Sequence, residues 1–358
     1  MIKKQLFKHV IKRIAPVLFI PIAFFSSCQK SMLNAEQGVA MENASDGRMA
    51  AVNDDPNYLA NLIAYKNSPH PLFVGYLVAD GNDPVEASSM LNVPDSVDIV
   101  VAFAGWDRDP SHWRALQAKG TKILICTFPG IDAFYDGSQK DTTTTQRTSL
   151  SANSTYDHWA KAMYDKFIVE MGWDGIDVDI ETGTFGGDAP ASNARAVLTS
   201  ISKYFGPNAL AGNLTRAGVK PIYIYDTDVD VAGGSLGYNT IYTPFRSNYD
   251  YVNFQSYVGG NRRWSGSQVS DLNPLLNAFE RNKLIVLTNG DEFIYPNGGE
   301  DTPGGDERAT RWLWDIANWT RTNNTAGVGA YRMSRDYNHV PTFNSTRQAI
   351  QIMNPARN

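Results

Sequence analysis

Residues 174–181 read Asp174-Gly175-Ile176-Asp177-Val178-Asp179-Ile180-Glu181. Ile176, Val178 and Ile180 alternate with Asp177, Asp179 and Glu181, which is the period of a β-strand. One face of that strand is apolar and the other acidic. Successive carboxylates stand roughly 7 Å apart along it. A calcium loop is a weaker reading, because the Gly needed at its sixth position is Thr182. A solvated edge strand is a second bland reading. Three carboxylates on a buried face bring no stability, since like charges in low dielectric cannot all ionise. A buried face of this kind suits proton chemistry instead.

Seven similar short runs surround this one. Before it come Leu72–Ala79, Val97–Ala104 and Thr121–Thr127. After it come Lys220–Asp226, Tyr251–Tyr257, Lys283–Thr288 and Gly327–Met333. Most are near-continuous apolar runs, as parallel strands buried on both faces require. Helical periodicity falls between several of them, over Ser111–Ala118, Thr155–Met171, Ala194–Phe205 and Glu307–Arg321. Eight strands alternating with helices predict an α/β fold, a TIM (β/α)8 barrel in a single domain over residues 57–358. A doubly wound sheet would need a G-x-G-x-x-G turn after its first strand, and Ala79-Asp80-Gly81-Asn82 is not one. In a barrel the chemistry belongs at the C-terminal ends of the strands.

Composition narrows the function. The chain has 358 residues, 42% of them hydrophobic, and a formal net charge of −5. That excludes a disordered chain, and an acidic chain without a basic run is a poor binder of nucleic acid. Five His and two Cys, all scattered, suggest no Cys/His metal site. No cofactor is implied, and a monomer is expected.

The N-terminus reads as a targeting segment. Lys3, Lys4, Lys8, Lys12 and Arg13 precede an apolar stretch from Ile14 to Phe25 that Pro16 and Pro21 interrupt. Phe25-Ser26-Ser27-Cys28 resembles a bacterial lipobox. Residues 1–27 are thus expected to be a signal peptide, Cys28 the lipidated residue and 28–56 a flexible tether. The expected location is the outer membrane, reached by export and held by the lipid anchor. Cys126 lies in an apolar run and reads as a small buried hydrophobe.

The acidic strand carries a resemblance. Asp174 to Glu181 is similar to the D-G-x-D-x-D-x-E pattern of glycoside hydrolase family 18, with every acidic position and the Gly intact. The predicted sixth strand, Asn253-Phe254-Gln255-Ser256-Tyr257, has Gln-x-Tyr where chitinases of that family usually have Met-x-Tyr. This looks like the endo-β-N-acetylglucosaminidase branch, which cuts the chitobiose core of N-linked glycans. The predicted third strand ends Cys126-Thr127-Phe128-Pro129-Gly130 rather than Ser-x-Gly-Gly, and Tyr331 stands where chitinases usually carry Trp. The stretch between the last two strands has no room for the small α+β insertion of many processive chitinases.

The resemblance implies substrate-assisted hydrolysis, an exception to the usual two-carboxylate scheme. Glu181 is then the general acid and base. Asp179 accepts the acetamido N–H, Asp177 shares a proton with Asp179, and Tyr257 meets the acetamido carbonyl. Gln255 holds that group or Glu181. Asn253, Tyr331, Trp106 and Trp264 are expected to contact substrate, with Phe134 and Tyr135 as further loop aromatics. N-glycans of glycoproteins are the expected partners. A chitinase, or a barrel that only binds glycan, remains an alternative on the residues alone.

Other features are given structural readings. Asp174 fixes the start of its strand, and Trp312 packs in the core. Asp226, Asp228 and Asp230 read as a solvated loop, with cation binding or the acceptor cleft as the alternatives. Gly233-Gly234-Ser235-Leu236-Gly237 fits G-x-S-x-G with His339 downstream, but no helix follows it as a nucleophile elbow requires.

Overall fold

The computed structural model describes residues 57–79, 83–103, 107–127, 153–180, 191–228, 242–256, 269–289 and 305–356. Eight parallel strands close into one barrel in sequence order, with the eighth paired to the first. They are β1 (Leu72–Leu77), β2 (Ile99–Ala102), β3 (Lys122–Thr127), β4 (Gly175–Ile180), β5 (Ile222–Thr227), β6 (Tyr251–Gln255), β7 (Leu284–Asn289) and β8 (Gly327–Tyr331). The (β/α)8 expectation is met.

The helices are α1 (Tyr58–Lys66), α2 (Pro110–Ala118), α3 (Asn153–Met163), α4 (Ala191–Ile201), α5 (Tyr242–Phe245), α6 (Leu275–Ala278), α7 (Gly305–Asn323) and α8 (Asn344–Met353). Local chemistry starts α2 where it does. Asp109 accepts the Ser111 N–H at 2.8 Å, and Pro110 occupies the first turn, where its missing N–H costs nothing.

Strand alternation sorts the core into two layers. Phe73, Val100, Ile123, Ile176, Val178, Tyr223, Val252, Val286 and Val328 face the helices. Val74, Tyr76, Ile99, Val101, Leu124, Cys126, Ile224, Ile285 and Leu287 fill the barrel interior. The Gly of the acidic stretch has a packing cause: a Cβ on Gly175 would lie 2.4 Å from the carbonyl oxygen of Ile222. Only Gly lets β4 and β5 approach so closely there.

One device repeats at the starts of the strands. Asp98, Asp174 and Asp250 each stand one residue before an even-numbered strand. Each accepts the backbone N–H of the second residue of the preceding strand: Phe73 at 2.9 Å, Ile123 at 3.0 Å and Tyr223 at 2.9 Å. Asp174 also accepts from Gln117 Nε2 at 2.9 Å. It therefore anchors the beginning of β4 and stands apart from the chemistry.

Two of the boundaries that differ from the sequence reading have a packing cause. The helix predicted over 155–171 is α-helical only to Met163 and widens into π-turns over Tyr164–Glu170. The wider turn buries Tyr164, Phe167 and Ile168 together. Tyr164 Oη donates to the Leu214 carbonyl at 3.0 Å and Phe167 packs on Trp173. The last strand ends at Tyr331, not Met333. Met333 begins a helical turn, and its sulfur occupies the space a side chain on Gly75 would need.

Candidate active site

Among the described residues, the buried carboxyl and amide side chains of the interior come from β4, β5 and β6. Asp177 and Asp179 point inward from β4, Asp226 from β5, and Asn253 and Gln255 from β6. All five are buried. Register sets them side by side, with Asp179 paired to Asp226 and Asp226 to Asn253. Tyr76, on β1, reaches across from the apolar side of the barrel.

The hydroxyl of Tyr76 lies 2.8 Å from Asp177 Oδ2 and 2.9 Å from Asp226 Oδ2. Asn253 Nδ2 donates to Tyr76 Oη and to Asp177 Oδ2, each at 2.9 Å. Gln255 Nε2 donates to Asp179 Oδ1 at 2.9 Å and to Asp226 Oδ1 at 3.3 Å. The expected link between Asp177 and Asp179 is thus carried, in hydrogen bonds, through Tyr76, Asp226 and Gln255.

Burial dominates the electrostatics. It pushes the Asp177 carboxyl up to about 7, although hydrogen bonds from Tyr76 and Asn253 pull it back down. Among the described residues Asp177 Oδ1 meets no N–H or O–H donor, and the neighbouring Cys126 thiol is the weak donor placed beside this carboxyl. A buried carboxyl so thinly solvated is easier to keep neutral than charged. Burial also pushes the Cys126 thiol well up, and the charges of Asp177, Asp179 and Asp226 add to it. Cys126, paired in register with Asp177, is therefore a neutral thiol and not a nucleophile.

Tyr331 is half-buried at the C-terminal end of β8. Its ring meets Tyr76 edge-on at 6.1 Å between centroids, and Phe103 at 5.9 Å. The aromatic expected beneath a sugar thus rests on the phenol that bonds Asp177.

A model of the endo-beta-N-acetylglucosaminidase EndoS TIM-barrel domain matches residues 76–295. The chain belongs to that family. Endo-beta-N-acetylglucosaminidase F2 of Elizabethkingia meningoseptica is 28% identical, over 94% of this chain and 97% of that protein. An endo-beta-N-acetylglucosaminidase of Bifidobacterium longum subsp. infantis is 24% identical, over 69% of this chain but only 44% of its own length. In fold, the chain resembles an endo-beta-N-acetylglucosaminidase from Cordyceps militaris solved with fucosyl-N-acetylglucosamine-Asn. That likeness has a TM-score of 0.58 at 22% identity and covers 84% of this chain and 96% of that one. The expected enzyme class, a glycoside hydrolase of the endo-β-N-acetylglucosaminidase kind, agrees with this membership.

Within this family barrel, the structure brings together Asp177, Asp179, Gln255, Asn253 and Tyr331. Glu181, Tyr257, Trp106 and Trp264 lie outside the described residues, as do Phe134, Tyr135, Cys28, residues 233–237 and the Trp312 side chain. Asn253, expected to contact substrate, is fully buried and bonded to Asp177 and Tyr76, which makes it a support of the carboxylates. Gln255, expected to hold the acetamido group or Glu181, donates to Asp179 and Asp226. Asp226 also departs from the solvated-loop reading: it is 2% exposed and belongs to the interior network.

Tyr76 and Asp226 are the residues the sequence reading missed. Asp226 shares the parity of Ile222 and Ile224, which already assigned it to the barrel interior. Tyr76 gives no such signal, because an aromatic in an apolar strand looks like core. His339, once a candidate triad member, bonds Asp336 at 2.5 Å. Asp336 in turn caps α8 by accepting from Ser345 and Thr346 N–H groups, so this pair is structural. Among the described residues no group of three or more His, Cys, Asp or Glu is arranged to hold a metal, and no helix is long and apolar enough to cross a membrane.

Proposed function

We propose that the chain hydrolyses the GlcNAc-β1,4-GlcNAc bond in the core of N-linked glycans by substrate-assisted catalysis. The carrying observation is the placement of Asp179, held inside the barrel by Gln255 at 2.9 Å beside the buried Asp177. Glu181 continues the alternation of these two residues in the sequence.

The chemistry follows from those roles. The acetamido carbonyl oxygen of the GlcNAc on the non-reducing side attacks its own anomeric carbon. The glycosidic C–O bond breaks, and Glu181 gives its proton to the departing oxygen. Asp179 accepts the acetamido N–H and stabilises the positive charge that develops on the oxazolinium ion. Water then attacks the anomeric carbon, Glu181 takes its proton, and the C–O bond of the oxazolinium ring breaks to restore the acetamido group. Two inversions give net retention. Tyr257 orients the acetamido oxygen, and Tyr331 underlies the sugar. Trp106 and Trp264 offer aromatic faces to the glycan.

The N-terminal sequence supports an exported lipoprotein. Residues 1–27 are its signal peptide, Cys28 carries the lipid, and 28–56 tether a monomeric barrel of residues 57–358 to the outer membrane. This reading rests on the basic run, the apolar stretch and Phe25-Ser26-Ser27-Cys28.

Mass spectrometry of a defined glycoprotein after incubation tests the activity. One GlcNAc should remain on each occupied Asn. A bare Asn, an intact glycan, or cleavage of chitin alone would contradict the proposal.

A further inference from the structure

Among the described residues, Tyr76 Oη lies within hydrogen-bond distance of Asp177 Oδ2, Asp226 Oδ2 and Asn253 Nδ2, and the hydrogens in these three contacts can be assigned. Asn253 spends both hydrogens of its amide on Tyr76 Oη and Asp177 Oδ2. The phenol has one hydrogen of its own. Yet it lies within hydrogen-bond distance of two carboxylate oxygens, 2.8 Å from Asp177 and 2.9 Å from Asp226. An ionised carboxylate only accepts. With both Asp177 and Asp226 ionised, one of these short contacts would have no hydrogen in it, and two negative charges would face one hydroxyl inside a sealed barrel. One added proton removes both problems. The protonated carboxyl donates to Tyr76 Oη, and Tyr76 donates to the other carboxylate.

The second oxygen of Asp226 has a different task. Gln255 Nε2 divides its two hydrogens between Asp179 Oδ1 and Asp226 Oδ1. Asp226 therefore fixes the plane of the amide that orients Asp179. Without it, Gln255 loses one of the two carboxylates that hold its amide beside Asp179.

We propose that Asp226 is a positioning residue of this site: it shares one proton with Asp177 through Tyr76 Oη and aims Gln255 at Asp179. The inference rests on the hydrolysis proposed above for its kinetic reading, and its spectroscopic reading is independent of it. The arrangement leaves one negative charge on the Asp177–Asp226 pair rather than two. Asp179 then ionises beside one charge, which favours the state that stabilises an oxazolinium ion.

Two measurements test this. Asp226→Ala removes both oxygens, whereas Asp226→Asn keeps the shape, with an N–H toward Tyr76 and a carbonyl for Gln255. Losing a buried hydrogen bond to a charged group costs about 1.5–3 kcal/mol. The Ala variant should thus lose about tenfold or more in kcat, with KM changed less than about threefold, and the Asn variant should recover most of that loss. An Asn variant no better than Ala overturns the proposal, as does a loss confined to KM.

The second measurement is an infrared titration of the protonated-carboxyl stretch in the unsubstituted protein and in Asp226→Asn. Replacing the second carboxylate by a neutral amide should move the loss of that band to lower pH, because a shared proton is held by two like charges and the variant offers only one. A midpoint that does not move overturns proton sharing even if the Ala variant fails to fold. If the unsubstituted protein cleaves no glycoprotein yet the midpoint moves, the proposed function fails and the shared proton stands.

Discussion

Tyr76 Oη lies 2.8 Å from Asp177 Oδ2, so a phenol on β1 is joined to a carboxylate on β4 across the barrel interior. The two residues are 101 positions apart in sequence. The bond ties the apolar side of the barrel to its acidic side. The Asp177 carboxyl is sealed from water, and its bonds go to Tyr76 and Asn253.

Tyr76→Phe isolates that hydroxyl. The ring stays, so the edge-on contact with Tyr331 is kept, while Asp177 and Asp226 lose their shared partner. A buried hydrogen bond to a charged group is worth about 1.5–3 kcal/mol, which converts to about 10–100-fold in kcat. Steady-state kinetics on a fluorescent N-glycan should show this loss at nearly constant KM. An unaltered kcat with lower stability would make Tyr76 a packing residue.

Asp177 predicts a pH-dependent stability. Its carboxyl stands at about 7 in the fold against an ordinary 3.8, raised by burial. A raised value means that the folded state binds the proton more tightly than the unfolded chain does. The stabilising contribution is complete below about pH 4 and is lost as the pH rises through about 7. Asp177→Asn removes that penalty. It should stabilise the protein at about pH 8 by about 1–4 kcal/mol and bring little change at about pH 4, while catalysis falls. Urea unfolding at both values checks this, and an equal change at the two would contradict it.

Legibility in the sequence varied with the kind of signal. The barrel was readable because eight apolar runs alternate with helical periods. Asp177 and Asp179 were readable because one strand displays its acids on one face. Asp226 was obscured by Asp228 and Asp230, which make its surroundings look like a polar loop even though its parity with Ile224 points inward. Tyr76 was not readable at all, since its role depends on a contact with β4 that no local pattern encodes. The π-turn at Tyr164 was hidden for a related reason: one inserted residue rotates the buried face, and an α-helical period drifts past it unnoticed.

Glu181→Gln concerns proton transfer. Gln keeps the shape but has no proton to give, so hydrolysis should fall by about 10²–10⁴-fold with folding and glycan binding preserved. Retention of more than about a tenth of the activity would remove Glu181 from the role of general acid.

Substrate choice separates this barrel from chitinases. Gln255 in place of the usual Met, together with the short connection from β7 to β8, predicts cleavage within a branched N-glycan core and poor activity on chitin. Side-by-side assays on a glycoprotein and on polymeric chitin decide it, and fast chitin breakdown with the glycoprotein untouched would reverse the assignment.

The central claim is that the acetamido oxygen, not a carboxylate of the ladder, attacks the sugar. Incubation with a 2-deoxy-2-fluoro glycoside, followed by peptide mass spectrometry, tests it directly. The account predicts no label on Asp177, Asp179 or Glu181, and competitive inhibition by a thiazoline mimic of the oxazoline in the same preparation. A sugar ester on Asp179 would contradict it.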